Sequence, residues 1–304
     1  MARTDAFSPY DSLLAGAPSL DPWVHGRDET PCYAPDYDLL AQLLTIPVSL
    51  GKVAASGALA NGVDAWIASE LRRAGFGIDE VWPRPQIPRI LPRDIAVLLD
   101  KLPLALSAEV RERIESMPAV GPSDAHFLGR AYEKQVDVAI SRWDRGPELL
   151  ISTKTQVSSF GKNLSNRFEE AYGDAGNLRG RYPLAAVGFF FLQRSTILER
   201  EPDAFERTID MMRKLRETTG SDGYTATGLA LVDWSDDDPA RGVSIALDRV
   251  PEDIRPEQFM VRMIQRVLSA TPVSQHVAPR ELIERRAIPV LEQDLEAEAG
   301  DASL

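Results

Sequence analysis

The 304-residue chain predicts a mixed fold of the α/β (α+β) kind, a central mixed β-sheet flanked by helices behind a mostly helical N-terminal region. Two strand-like segments at 136–141 and 148–155, joined by the turn-like "RWDRGP", are followed by a helix candidate and then by the wholly apolar "AAVGFFFL". After them come a helix, two further strand-like runs and another helix, so strands and helices interleave. The 44% hydrophobic content is enough to bury a large core over this length.

Four stretches divide the chain. Residues 1–36 are rich in Pro, Asp and Gly without periodicity and predict an irregular arm. Residues 37–118 predict a mostly helical region, placed to recognise a target. Within it Leu59, Val63, Trp66, Ile67 and Leu71 recur at helical spacing over 58–74, and Gly75 follows as a C-terminal cap. The Pro-Arg repeats at Pro83-Arg84, Pro88-Arg89 and Pro92-Arg93 force an extended path and offer guanidinium groups to a phosphate backbone. A helix is expected after Ser107, whose hydroxyl would cap it. Residues 119–286 hold the α/β domain, with helices expected at 161–173, around Phe205 to Leu215 and at 256–270, and strands at 226–234 and 242–250. Residues 287–304 carry five acids and no base, an acidic tail.

Composition narrows the function classes. No apolar run reaches the roughly 18 residues a membrane helix needs, and the opening "MARTDAFSPYDSLLAG" lacks the basic and apolar regions of a secretory signal. One cysteine, Cys32, and three histidines give no disulfide and no zinc spacing, which predicts a reducing, cytoplasmic setting. A net charge of −12 argues against non-specific coating of nucleic acid or anionic membrane. Locally the balance reverses: from 129 to 195 there are ten basic against seven acidic side chains. His25, His126 and His276 are scattered and pair with no evident nucleophile, and no Walker loop, dinucleotide fingerprint or HExxH occurs.

Chemistry is concentrated in "VDVAISRWDRGPELLISTKTQ". Alternation groups Asp137 with Ala139 and Ser141, and Glu148 with Leu150, Ser152, Lys154 and Gln156. In a hairpin Asp137 and Lys154 would approach one another at the sheet edge. Carboxylates that hold a hard divalent cation beside an ammonium that assists water suit cleavage of a phosphodiester.

At these residues the sequence resembles the PD-(D/E)XK, restriction-endonuclease-like nuclease superfamily, over about 122–192. The resemblance implies a core of helix, three-stranded antiparallel meander, helix and further strand, with Asp137 as the motif Asp and Lys154 as the closing Lys. Val136 replaces the usual Pro, and Ser152 stands where the family has Asp or Glu. A subgroup of type II restriction endonucleases is similar: Ser-x-Lys lies on the strand and a Glu of the following helix completes the metal site. By that resemblance Asp137 and Glu170, or Glu169, would hold Mg2+, Lys154 would assist water and Ser152 would support the geometry. Glu170 is preferred because Asn163, Arg167 and Glu170 share a helical face. Glu148, Glu133 and Glu70 are further candidate acids. Gln156, Lys162, Asn163, Arg167, Arg179 and Arg181 would contact nucleic acid. The implied function is a Mg2+-dependent endonuclease cutting double-stranded DNA, of restriction or phage-defence type and acting as a homodimer. Two alternatives stand beside it: an inactive nuclease-fold DNA-binding or assembly module, and an unrelated α/β interaction protein.

Overall fold

A computed structural model describes residues 5–16, 21–25, 30–53, 57–162, 164–216 and 223–289. The chain begins with α1 (Asp11–Gly16) and a small hairpin of β1 (Trp23–His25) and β2 (Pro31–Tyr33). Then follow α2 (Tyr37–Ser49), α3 (Ala58–Arg73), β3 (Val81–Trp82), and a helical pair α4 (Arg93–Lys101) and α5 (Leu104–Ser116). The middle of the chain supplies β4 (Ala125–Leu128), β5 (Glu133–Val136), β6 (Val138–Arg142), β7 (Gly146–Gln156), α6 (Leu164–Arg179) and β8 (Ala186–Arg194). The last part gives α7 (Ile197–Arg200), α8 (Pro202–Arg216), β9 (Ala226–Asp233), β10 (Ser244–Ile245), α9 (Pro256–Ala270) and α10 (Val277–Glu284).

The mixed α/β class predicted from sequence is the class observed. Six strands form one sheet in the order β10-β9-β8-β7-β6-β3, with β3, β6 and β7 antiparallel and β7, β8 and β9 parallel. All nine residues of β8 are buried, because a parallel strand with neighbours on both edges and helices on both faces has no solvent side. Phe190 and Leu192 enter the core built with α2, α3 and α9. Phe189 and Phe191 enter the core built with α6 and α8. Successive side chains of a strand point to opposite faces, so these are the two layers on either side of the sheet.

The N-terminal helices are one of those layers. Trp66 of α3 packs against Phe190, with ring centroids 5.9 Å apart, and β3 forms the sheet edge. Residues before 37 also join this layer: Tyr10, Trp23 and Tyr33 are buried in it, where the sequence predicts only an irregular arm. Pairing 258 residues apart explains this, since His25 Nε2 lies 3.1 Å from the Ile283 carbonyl of α10. By contrast α4 and α5 enclose a small core of their own.

Several local expectations change. Helix α5 starts at Leu104 behind Pro103, so Ser107 is not its cap; its hydroxyl is buried and accepts from Arg111 Nε at 3.3 Å. The Pro-Arg segment does not present a row of cations, because Arg84 is buried against Asp79 and Arg89 against Asp5 and Asp11. Helix α6 continues past Gly173 to Arg179. Its far end is held by buried Asn177, whose side chain accepts from the Ala131 and Tyr132 amides, and these contacts outweigh the weak helix propensity of glycine. The strand expected at 242–250 shrinks to Ser244–Ile245, since a turn bonds Val250 N to the Leu247 carbonyl. Most of the acidic tail, 290–304, lies outside the described residues.

Candidate functional site

Asp137 lies at the break between β5 and β6 rather than within a strand. Val138 is the first residue of β6 to pair, opposite Ile151, so β7 runs on through Gln156 beyond the start of its antiparallel neighbour. An amide pointing to that side at Thr153 would have no strand partner. Asp137 supplies one: its Oδ2 accepts from Thr153 N at 2.7 Å, while its own N–H donates to the Ile151 carbonyl at 3.0 Å. This geometry fixes the carboxylate in the plane of the sheet at its margin.

The second carboxylate here is one the sequence reading passed over. Asp64 of α3 is buried, and its Oδ1 accepts from Thr153 Oγ1 at 2.6 Å. A legible signal existed: "GVDAWIA" places one acid in an otherwise apolar helical stretch, the same anomaly that singles out Asp137. Burial foremost, and then the neighbouring Asp137 charge, hold the Asp64 carboxyl well above the ordinary aspartate range, against the pull of Thr153 and Lys154. Asp137 is raised too, chiefly by burial, with the Thr153 amide and the Lys154 and Lys134 charges opposing. A buried acid and a partly buried one, whose charges disfavour each other, form a place that a cation relieves.

Lys154 follows Thr153 and projects to the opposite side of β7, towards α6. Its ammonium is one third exposed and lies 3.9 Å from Glu170 Oε1. Glu170 is half exposed and is also approached by Lys134 at 3.3 Å; Lys134 in turn lies 2.5 Å from buried Asp174. The acid that stands with Asp137 therefore comes from α3, before the motif, and Glu170 meets the site through lysines. Glu169 is exposed on α6, and Ser152 is buried in β7 two positions before the lysine.

The remaining candidates separate. Gln156 is buried, donating to the Ser159 and Phe160 carbonyls and accepting from Gln193, so it braces the turn before α6 and is not presented to a ligand. Arg179 donates to the Ala185 carbonyl at 3.0 Å and ties α6 to the start of β8. Lys162 and Arg181 are exposed and Arg167 is partly buried; Arg181 lies over the Tyr182 ring at 5.9 Å. Asn163 is outside the described residues. Glu70 is consumed by Arg73, Tyr33 and the Asp36 amide. Glu133 lies 3.8 Å from His126. Glu148, at the far end of β7, is bound by Arg145 and His276.

Asp64 and Asp137 border a cavity of about 930 Å³, whose other walls include Asn61, Ile90, Glu112, Asp124 and Gln135. Among the described residues no group of three or more His, Cys, Asp or Glu side chains is arranged to hold a metal ion. The donor set is two carboxylates, which suits magnesium, because that ion takes one or two carboxylates and fills its shell with water and phosphate oxygens. Zinc, by contrast, seeks nitrogen and sulfur donors. Among the described residues no helix is long and apolar enough to cross a membrane. No family model, no curated protein and no solved structure matches the chain.

Proposed function

We propose that the chain is a Mg2+-dependent endodeoxyribonuclease, with Asp64 and Asp137 as the carboxylates that hold the ion and Lys154 as the ammonium beside the reacting phosphate. The observation that carries the reading is the meeting of Asp64 and Asp137, 73 positions apart in sequence, on the two donors of Thr153, with Lys154 next along the same strand. The path β6, β7, α6, β8, antiparallel into β7 and parallel to β8, also supports it, as does β3 completing an antiparallel trio with β6 and β7, although α4, α5, β4 and β5 intervene and β3 precedes the 122–192 span of the resemblance.

A bound magnesium ion supplies a Lewis acid for a phosphate oxygen and lowers the pKa of a bound water. The protein's own part is to orient two carboxylates on one strand residue and to hold, on the next residue, a partly exposed ammonium whose charge is felt by both. Exposed Lys162 and Arg181 offer phosphate contacts flanking α6. Cutting both strands of duplex DNA would pair two copies of the chain. Restriction or phage defence is the biological setting we assign to such an activity.

The test is cleavage of duplex DNA with Mg2+ present and after its removal by chelator. Wild type should cut only with the ion, and Lys154→Ala should cut no better than the chelated control while keeping its fold. Undiminished cutting by that variant overturns the assignment. A second reading keeps the fold without catalysis, as a DNA-binding or assembly module; the observation in its favour is that Ser152 replaces an acid and Glu170 is drawn to Lys134. Salt-dependent DNA retention without Mg2+-dependent cutting would select it.

A further inference from the structure

Thr153 occupies the middle position of Ser152-Thr153-Lys154, where the sequence attaches no chemistry. It is 4% exposed and is paired to Phe190 of β8 on the parallel side, with the Asp137 carboxylate in place of a β6 partner on the other. Its hydroxyl donates to Asp64 at 2.6 Å and its amide to Asp137 at 2.7 Å. Both acids of the site are thus oriented by one residue of an interior strand, and the separation of their bound oxygens is set by the short, stiff span from amide nitrogen to Oγ1. A β-branched side chain holds χ1 in few wells; a serine keeps the same donor with a looser χ1.

We propose that Thr153 is the positioning residue of the site, using its hydroxyl to lock the Asp64 carboxylate in register with Asp137 for a shared divalent cation. The proposal rests on the ion-binding reading above. Groups that hydrogen-bond a ligating side chain fix its orientation before the ion arrives, and losing one typically weakens binding about 10- to 100-fold. The amide half of the device survives any substitution except proline, so the hydroxyl half is separately testable. Thr153→Val keeps the β-branch, the volume and the backbone donor while deleting the hydroxyl; Thr153→Ser keeps the hydroxyl and loses only the branch.

The experiment is calorimetric titration of the full chain with Mg2+ alone, alongside thermal unfolding without ion. Wild type should bind saturably, T153V about 10- to 100-fold more weakly, and T153S should recover most of the affinity. All should unfold within about 5 °C of one another, because a merely structural role would move the melting midpoint and the affinity together. Should T153V fail to fold, T153A removes the same hydroxyl without requiring a branched side chain. Wild-type affinity in T153V, or equal weakness in T153V and T153S, overturns the proposal while leaving the ion reading in place. Absence of saturable binding by wild type overturns the ion reading itself, and the positioning role with it.

Discussion

The Asp137 carboxylate takes the Thr153 amide at 2.7 Å where β7 outruns β6. A side chain thereby does the work of a missing strand, and the same side chain is one of the two acids of the site. Structure and chemistry are coupled at this residue. Asp137→Ala should therefore lose DNA cleavage and also about 1 to 3 kcal/mol of stability, because the Thr153 N–H is left without an acceptor. Asp137→Asn, which retains an acceptor oxygen, should lose cleavage with a smaller stability cost. Urea denaturation of both variants checks this, and equal stability of Asp137→Ala and wild type would show that the bond contributes nothing.

Glu170 and Asp64 differ in burial and in what they touch, which separates their expected roles. Asp64→Asn should reduce Mg2+-dependent cleavage roughly 10²- to 10³-fold, the usual cost of removing a preorganised electrostatic group. Glu170→Gln should cost less than about tenfold, since a half-exposed ion pair is weak. Rate measurements at saturating Mg2+ decide it, and the reverse ranking would return the second ligand to α6.

At the other end of β7, Glu148 is caged by His276 Nε2 at 3.0 Å and Arg145 Nε at 2.7 Å. Burial raises its carboxyl, but the hydrogen bonds from His276 and Arg145 prevail and leave it below the ordinary glutamate range. A carboxylate with a depressed folded pKa adds stability that is full above the unfolded value, about 4.3, and is lost as pH falls through the folded one. Glu148→Gln should accordingly be less stable than wild type at pH 7, by about 1 to 3 kcal/mol, with the gap narrowing below pH 4. A gap that widens in acid would contradict this account. His276→Ala should cost about 1 to 3 kcal/mol at pH 7, because it removes one of the two hydrogen-bond partners of a buried carboxylate and leaves Arg145 as the other.

Gly228 sits where α9 crosses the parallel strands. A Cβ there would fall 2.7 Å from Phe190 Cδ2 and 2.9 Å from Phe259 Cγ. Gly228→Ala should overpack this contact and lower stability by about 1 to 3 kcal/mol, read as a fall in the thermal midpoint. The ring of Phe190 also meets Trp66 of α3, two residues from Asp64, so weaker ion binding by the same variant is the accompanying expectation.

The long periodic elements were legible in the sequence because burial writes a pattern that does not depend on distant partners. The helix over 58–73, the amphipathic face of Phe205, Ile209, Met212 and Leu215, the helix at 256–270 and the apolar run 185–192 that makes most of β8 follow from spacing alone. The closeness of Asp137 to the lysine strand followed in the same way, from a hairpin whose two halves are adjacent in the chain. Asp64 shows in the sequence only as one acid in an apolar helical stretch; that it meets Asp137 is not written there, because the meeting depends on how α3 lies across the sheet. Arg84 and Arg89 look like a cationic row in sequence and are spent on Asp79, Asp5 and Asp11 in space; the Arg89 pairs form across 84 and 78 residues, which leaves no local pattern. Which segments bury, and with what periodicity, is written locally, as sterics and hydrophobic spacing require. Which charges face one another is settled by packing, because Coulomb and hydrogen-bond partners are chosen in space and not by position along the chain.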